Sequence, residues 1–486
     1  MRAKRYVIPI LIAILLLAAA LRVWGITSES YWLDEAISIR QAQVNYATSI
    51  EMLKHDVNFP FYIILLHSWI KLFDTSEFSS RFLSVIFGVL SVGMIYLLAK
   101  KLFSERVAII TVLLMSFSPI LIYYSQEARS YSLLVLLTIV SFYFFISYLE
   151  KRDTIHLIAY VFFSLLLIYT HIFSFLVILI QNVYVLYIYR FRIKPLLKWF
   201  AGQLALFILF IPWLPILFGQ ISNSSFSTLW IPKPNVLILL STSYAFFGGY
   251  LVLLIFIALL IVFILTKKFK TIGKNKLVFV SLWIILPFLV VVTYSLLFSS
   301  LYNTRYMLFT LPAIYLLFAV TIDTVMPKKK FISWIIVFVL IVSSFISVAD
   351  QVKRIDKDDW RTTSEYIKQN VKENDAVFIN PFYQQDPFTY YYDPDCFKMP
   401  DTNSCNFEKH RVLSLSWVAS CCNATTELTA TDGKNELRDY LDRDIWLINV
   451  RPETYDFNNS LFTYFNSSKR IILFKEFGDI KIYEFR

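Results

Sequence analysis

The stretch NFPFYIILLHSWIKLF, residues 58 to 73, decides how this chain is threaded. It is apolar enough to be taken for a membrane crossing. Yet it contains Pro60, His67, Trp69 and Lys71, and it is short for a hydrocarbon core about 30 Å thick. If it crosses, every later loop changes side. If it lies along one surface, the loops KKLFSER (100–106), EKRD (150–153), 190–198, KKFKTIGKNK (267–276) and KKK (328–330) all join the N-terminus on one face. Those segments hold 20 Lys and Arg, against eight in the opposing loops. A crossing at 58–73 would send 17 of the 20 outside, against the bias that keeps basic loops cytoplasmic. The sequence therefore predicts an interfacial segment here, with the basic loops inside.

Working outward, apolar segments recur near 6–26, 80–99, 106–124, 130–149, 155–170, 172–190, 197–218, 236–266, 277–298, 306–325 and 331–349. With 57% of residues hydrophobic and 17% charged, the chain lies outside the usual range of soluble domains, about 45–50% apolar and 25% charged. The pattern predicts an α-helical polytopic membrane domain over 1–349, with about eleven transmembrane helices plus the interfacial helix. As one helix, 155–190 would be about 54 Å long, so it is read as two crossings broken near Thr170-His171. Gly248-Gly249 would let the first part of 236–266 lie in the interface. The first run follows Arg2, Lys4 and Arg5 and ends near Ala18-Ala19-Ala20, and is read as an uncleaved helix.

The net charge of +11 is split unevenly, +16 over residues 1–349 and −5 over 350–486. The basic excess thus belongs to short membrane loops, which excludes a nucleic-acid partner. All four cysteines, Cys396, Cys405, Cys421 and Cys422, fall in the acidic C-terminal part. Their confinement there predicts two disulfides in an oxidising compartment. The threading puts residues 350–486 outside, the side the cysteines require. It also puts there the sequons at Asn223, Asn423, Asn458 and Asn466. This part reads as a small extracytoplasmic α/β domain. DDWRTTSEYIKQNVKEND fits a capped helix, and DAVFIN, RVLSLSW, RDIWLINV, KRIILFKEF and DIKIYEF fit strands, the last two joined through Gly478 as a hairpin. Residues 383–408 read as a long loop, and DPD at 393–395 as a turn rather than a metal pair.

With sides assigned, eight of the 12 acids of the membrane part are external: Glu29, Asp34, Glu35, Glu51, Asp56, Asp74, Glu77 and Glu127. YWLDEA brings Asp34 and Glu35 into the first external loop. SQEARSY places Glu127, Arg129 and Tyr131 at a later external turn, His171 stands at another, and Arg305-Tyr306 open a helix from the same side, as Arg81 does. A carboxylate in an aromatic-lined groove can accept the proton of an attacking hydroxyl, and surface arginines can bind a phosphate through charge-assisted hydrogen bonds. Transfer of a sugar from a lipid phosphate needs both.

YWLDEA, FPFYIILLHSWIKLF, SSRFLSVIFGVL, SPILIYYSQEARSYSLLV, YTHIFS and NTRYMLFTLPA, in this order across most of residues 1–349, resemble the GT-C superfamily of polyprenyl-phosphate-sugar-dependent glycosyltransferases. The branches most alike are those of the protein mannosyltransferases and the lipid A aminoarabinose transferases. The resemblance implies a GT-C-like membrane domain that moves a monosaccharide from a polyprenyl- or dolichyl-phosphate donor to an acceptor hydroxyl, with inversion, at the outer face of the cytoplasmic membrane. It implies a catalytic acid at Asp34 or Glu35 and a second functional acid at Glu127. Arg129, Tyr131, His171, Arg305, Tyr306 and Arg81 would serve the substrate, with room for a divalent metal ion near Glu127. The acceptor could be a protein, a glycolipid or a glycan. Where the family often has His-Pro-Pro, this chain has Asn58-Phe59-Pro60. The reading from another class is a polytopic transporter or lipid-linked-sugar flippase. Such proteins place ionisable groups near the bilayer midplane on broken helices.

Overall fold

The computed structural model describes residues 7–190, 192–227, 231–327, 329–354, 356–372, 375–399, 411–414, 441–451 and 460–486. Cys405, Cys421, Cys422 and the sequons at Asn423 and Asn458 lie outside the described residues. The chain divides into two compact units. One comprises residues 1–26, 50–69 and 78–353; the other gathers 27–49, 70–77 and 354–486.

The first unit is helical. Among the described residues six helices are individually long and apolar enough to cross a membrane, including Glu77–Leu102, Tyr131–Lys151 and Thr304–Val325. Two bent pairs raise the number to as many as eight. The helices Val7–Val23, Thr154–Ile168 and Ser174–Tyr189 are apolar but shorter, and so is Pro60–Leu72. At 13 residues, Pro60–Leu72 is about 20 Å long, well short of the hydrocarbon core. The expected break at Thr170-His171 is present, between Thr154–Ile168 and Ser174–Tyr189. The Gly248-Gly249 break is sharp: Val236–Phe247 and Tyr250–Leu265 meet at 94°. Gly248 adopts φ +66° and Gly249 φ +140°, a conformation that side chains resist. A β-carbon on Gly248 would also lie 2.7 Å from Pro119.

The segment 106–124, read as one helix, is in fact two. Glu105–Ser116 and Pro119–Ser125 meet at 61°, because Pro119 cannot continue the hydrogen-bond ladder and Ser118 instead caps the new helix at the Leu121 amide. Helices on either side of His171 are joined by polar side chains. The Gln181 amide donates to Ser141, the Tyr160 hydroxyl to Gln181, and the Gln203 amide to Tyr160. Trp199 donates to Asn182. Such bonds glue helices in lipid, where the alternative is an unsatisfied group.

The second unit contains a five-stranded sheet, β1 (Ala376–Asn380), β2 (Arg411–Ser414), β3 (Ile445–Val450), β4 (Ile471–Phe477) and β5 (Ile480–Phe485), in the order β2-β1-β3-β5-β4. The pairs β2-β1 and β1-β3 are parallel; β3-β5 and β5-β4 are antiparallel. Each strand falls within a segment the alternation marked, and Gly478, at φ +59°, turns the last hairpin. Asp359 caps the helix Trp360–Asn370 at Thr362, as its sequence suggested.

A second expectation is corrected. Part of 383–408, read as loop, forms the helices Gln385–Tyr392 and Pro394–Phe397. Phe388 and Tyr392, one turn apart, stack on each other, and Phe388 meets Trp360 edge-on in the core. That burial outweighs the poor helix propensity of a segment rich in Tyr, Asp and Pro. Asp393 accepts bonds from the amides of Asp395 and Cys396, so DPD is a cap.

Candidate active site

The acids of YWLDEA open a helix in the second unit, Leu33–Gln43, with Asp34 and Glu35 in its first turn. That position suits carboxylates, because the helix dipole and free amides favour negative charge. Trp32, before the helix, supplies no side-chain cap. The two neighbours have different surroundings. Asp34 is half-buried. Glu35 is fully buried and paired with Lys357 at 3.0 Å, the Lys357 side chain being 5% exposed. The same helix is tied by Arg40 to Asp386 and by the Gln43 amide to the Phe397 carbonyl, at 2.6 Å. Just before it, Glu29 accepts from the amides of Asp356 and Lys357, Ser30 donates to the Asp358 carbonyl, and the Tyr31 amide donates to the Tyr391 hydroxyl. Burial raises the carboxyl of Asp358 above its ordinary value, while Arg451 beside it acts in the opposite direction. Glu77, bonded by Arg361 and by the Tyr391 hydroxyl, belongs to the same unit.

A second group of residues lies in the helical unit, assembled from three distant stretches. Tyr131, at the start of its helix, is buried, and two cations lie near its ring. The guanidiniums of Arg129 and Arg305 lie 5.8 Å and 5.9 Å from its centre, within the range of a cation–π attraction. Arg305 also lies 5.4 Å from the ring of Tyr306. His171 completes the group, its ring centre 6.1 Å from that of Tyr131 and 5.5 Å from that of Tyr306. The imidazole Nδ1 accepts from the Phe173 amide, which leaves Nε2 to carry the proton. Burial first, and then the charges of Arg129 and Arg305, push the pKa of His171 down to about 3. The group is thus neutral at physiological pH and feels both cations.

Glu127 is 1% exposed, at the turn whose backbone brings Arg129 round: its carbonyl accepts from the Arg129 amide at 2.8 Å. Arg81 is equally buried and donates to the Ile26 carbonyl at 2.8 Å. One turn on, Ser84 donates to the Arg129 carbonyl and pairs with the Tyr62 hydroxyl. Asn58, where the family often has His, donates to Asp56, and its carbonyl accepts from Gln220. Among the described residues no group of three or more His, Cys, Asp or Glu side chains could hold a metal ion. Tyr124, edge-on to Tyr131, and Phe173, against Tyr306, join the ring cluster without any polar signal that could have singled them out.

The neutral state of His171 has a measurable consequence. Below pH 6.5 the unfolded imidazole takes up a proton that the native one refuses, so this residue's contribution is complete above the ordinary histidine range and is lost as the solution is acidified. From pH 6.5 to pH 5 the loss is about 2 kcal/mol. Thermal unfolding in detergent micelles at pH 7 and pH 5 is therefore expected to show a smaller acid-induced drop in His171→Gln than in the unaltered protein. Equal drops would contradict this.

Residues 59–216 match the family of dolichyl-phosphate-mannose-protein mannosyltransferases. The structure resembles that of ArnT from Cupriavidus metallidurans in the apo state, with a TM-score of 0.65 at 12% identity over 100% of this chain and 98% of that one. It also resembles ArnT bound to undecaprenyl phosphate, with a TM-score of 0.58 at 11% identity over 98% and 97%. A third likeness is to the Archaeoglobus fulgidus oligosaccharyltransferase tethered to an acceptor peptide, with a TM-score of 0.59 at 12% identity over 92% and 69%. No curated protein matches the chain in sequence. The fold is the one seen in ArnT and in the archaeal oligosaccharyltransferase.

Proposed function

We propose that this protein is an inverting glycosyltransferase that takes a monosaccharide from a polyprenyl- or dolichyl-phosphate carrier and gives it to an acceptor hydroxyl. The observation that carries the reading is the convergence of Arg129 and Arg305 on one tyrosine ring beside a neutral histidine. Two like charges so close favour an anion, and a guanidinium pair suits the bidentate geometry of phosphate. ArnT, whose fold this chain shares, has been solved with undecaprenyl phosphate, which fits that assignment.

Asp34 takes the part of the general base. Its carboxylate accepts the acceptor's hydroxyl proton as the oxygen bonds to the anomeric carbon. The bond from that carbon to the phosphate oxygen breaks with its electrons on the phosphate. The transition state is oxocarbenium-like, as in glycoside chemistry. Arg129 and Arg305 hold the charge that develops on the leaving phosphate, where preorganised cations act most strongly. His171 offers a neutral donor, Tyr131 and Tyr306 form the apolar wall, and Arg81 and Glu127 fix the turns that carry this group. Glu35 was an equal candidate for the base in the sequence. Its buried bond to Lys357 supports assigning it a supporting part instead.

Residues 1–349 form the catalytic membrane domain in this reading, and 350–486 an extracytoplasmic domain whose buried Cys396 takes part in a disulfide. The site faces the outside of the cytoplasmic membrane. A thiol placed beside Lys101 in a cysteine-free background is expected to resist a membrane-impermeant maleimide in intact cells and to react after permeabilisation. Labelling in intact cells would reverse the sidedness. Purified protein in proteoliposomes, given labelled monosaccharides on undecaprenyl phosphate and a membrane extract as acceptor, should release the lipid phosphate and label the acceptor. Movement of intact donor between leaflets, without release of phosphate, would instead establish a flippase.

A further inference from the structure

We propose that Lys357 is a positioning residue for Asp34, acting through Glu35 from the C-terminal part of the chain. The inference rests on the reading of Asp34 as the base. Glu35 follows Asp34 in the same helical turn, so the two side chains leave the backbone about 100° apart around the axis and the turn that holds one carries the other. The turn has no side-chain cap of its own, and its orientation falls to tertiary contacts. Lys357 bonds Glu35 inside the unit, with Glu35 wholly buried. The backbone amide of Lys357 also donates to Glu29, and that of Trp360 to Ser30. Thus one short segment, 356–360, grips both the helix and the residues that enter it. Arg40 to Asp386 and Gln43 to the Phe397 carbonyl fix the far end of the helix. Removing one partner of a buried ion pair leaves a stranded charge, and the helical turn that bears Asp34 loses the bond that orients it.

The test uses the full-length protein in lipid nanodiscs, with the undecaprenyl-phosphate sugar that supports turnover as donor and release of undecaprenyl phosphate as readout. Lys357→Met is expected to lower kcat about tenfold or more, since small misplacement of a reacting group is costly, while KM for the donor stays within about twofold. Lys357→Arg keeps the cation and should restore most of kcat. A merely structural role would lower the apparent kcat only in proportion to the fraction folded, so that kcat per folded molecule, counted by size-exclusion chromatography, stays at the wild-type value. That result, or a wild-type kcat in Lys357→Met, overturns the proposal. If Lys357→Met does not fold, the double variant Glu35→Gln/Lys357→Met, which buries no stranded charge, replaces it: a lowered kcat is expected, and a wild-type kcat is fatal. The two readings fail separately. An active Asp34→Asn removes the base itself, whereas a silent Asp34→Asn beside a fully active Lys357→Met removes only the positioning role.

Discussion

Asp34→Asn is expected to reduce sugar transfer by about 10²–10⁴, the range a positioned general base contributes. The amide keeps the size of the side chain and its place in the first turn of Leu33–Gln43, so stability should change little. What it loses is the ability to take the acceptor's proton as the new bond forms. The loss should therefore appear in kcat, with undecaprenyl phosphate bound as tightly as before, because the lipid phosphate is assigned to other residues. Turnover of donor by the purified variant, beside binding of undecaprenyl phosphate, separates the two quantities. Unaltered turnover would take Asp34 out of the chemistry.

The second large effect belongs to the arginines. Arg129→Met and Arg305→Met should each reduce kcat by about 10²–10³, as loss of a preorganised charge at a leaving group does. Unlike the change at Asp34, each should also weaken binding of undecaprenyl phosphate, since the product carries the charge they hold. Their effects should not add. Both guanidiniums lie within 6 Å of the Tyr131 ring centre, and side chains sharing a partner are coupled. A double variant close to either single one is the expected outcome. Undiminished affinity for the lipid phosphate in both single variants would mean that the phosphate binds elsewhere.

Much of this architecture is legible in the sequence, for identifiable reasons. Basic loops and apolar runs are local records of the bilayer, so the short helix Pro60–Leu72 and the break near His171 could be read directly. The strands announce themselves by β-branched and aromatic runs between polar turns. The helix Gln385–Tyr392 could not be read this way, because it is held by Phe388 and Tyr392 in the core rather than by propensity. The break at Ser118-Pro119 was hidden within an otherwise continuous apolar run.

The residues of the candidate site can be picked out in the sequence by type, while their roles are a proposal. Arg129, His171 and Arg305 could each be named from their places at helix ends. Their meeting around Tyr131 depends on packing between helices that no local pattern records. Asp34 and Glu35 looked alike. Burial and the bond to Lys357, 322 residues further on, set Glu35 apart, and a lysine between two aspartates carries no local mark of that pairing.

The union of residues 27–49 and 70–77 with 354–486 in one compact unit bears on how the protein comes to life at the ribosome. At roughly 5–20 residues per second, the lysine that clasps Glu35 is made on the order of a quarter of a minute to a minute after its partner. Throughout that interval the helix of Asp34 has been synthesised but not yet clamped. A chain released before residue 354 would hold residues 27–49 without the segment that completes their compact unit, and the positioning proposed for Lys357 would be missing with it.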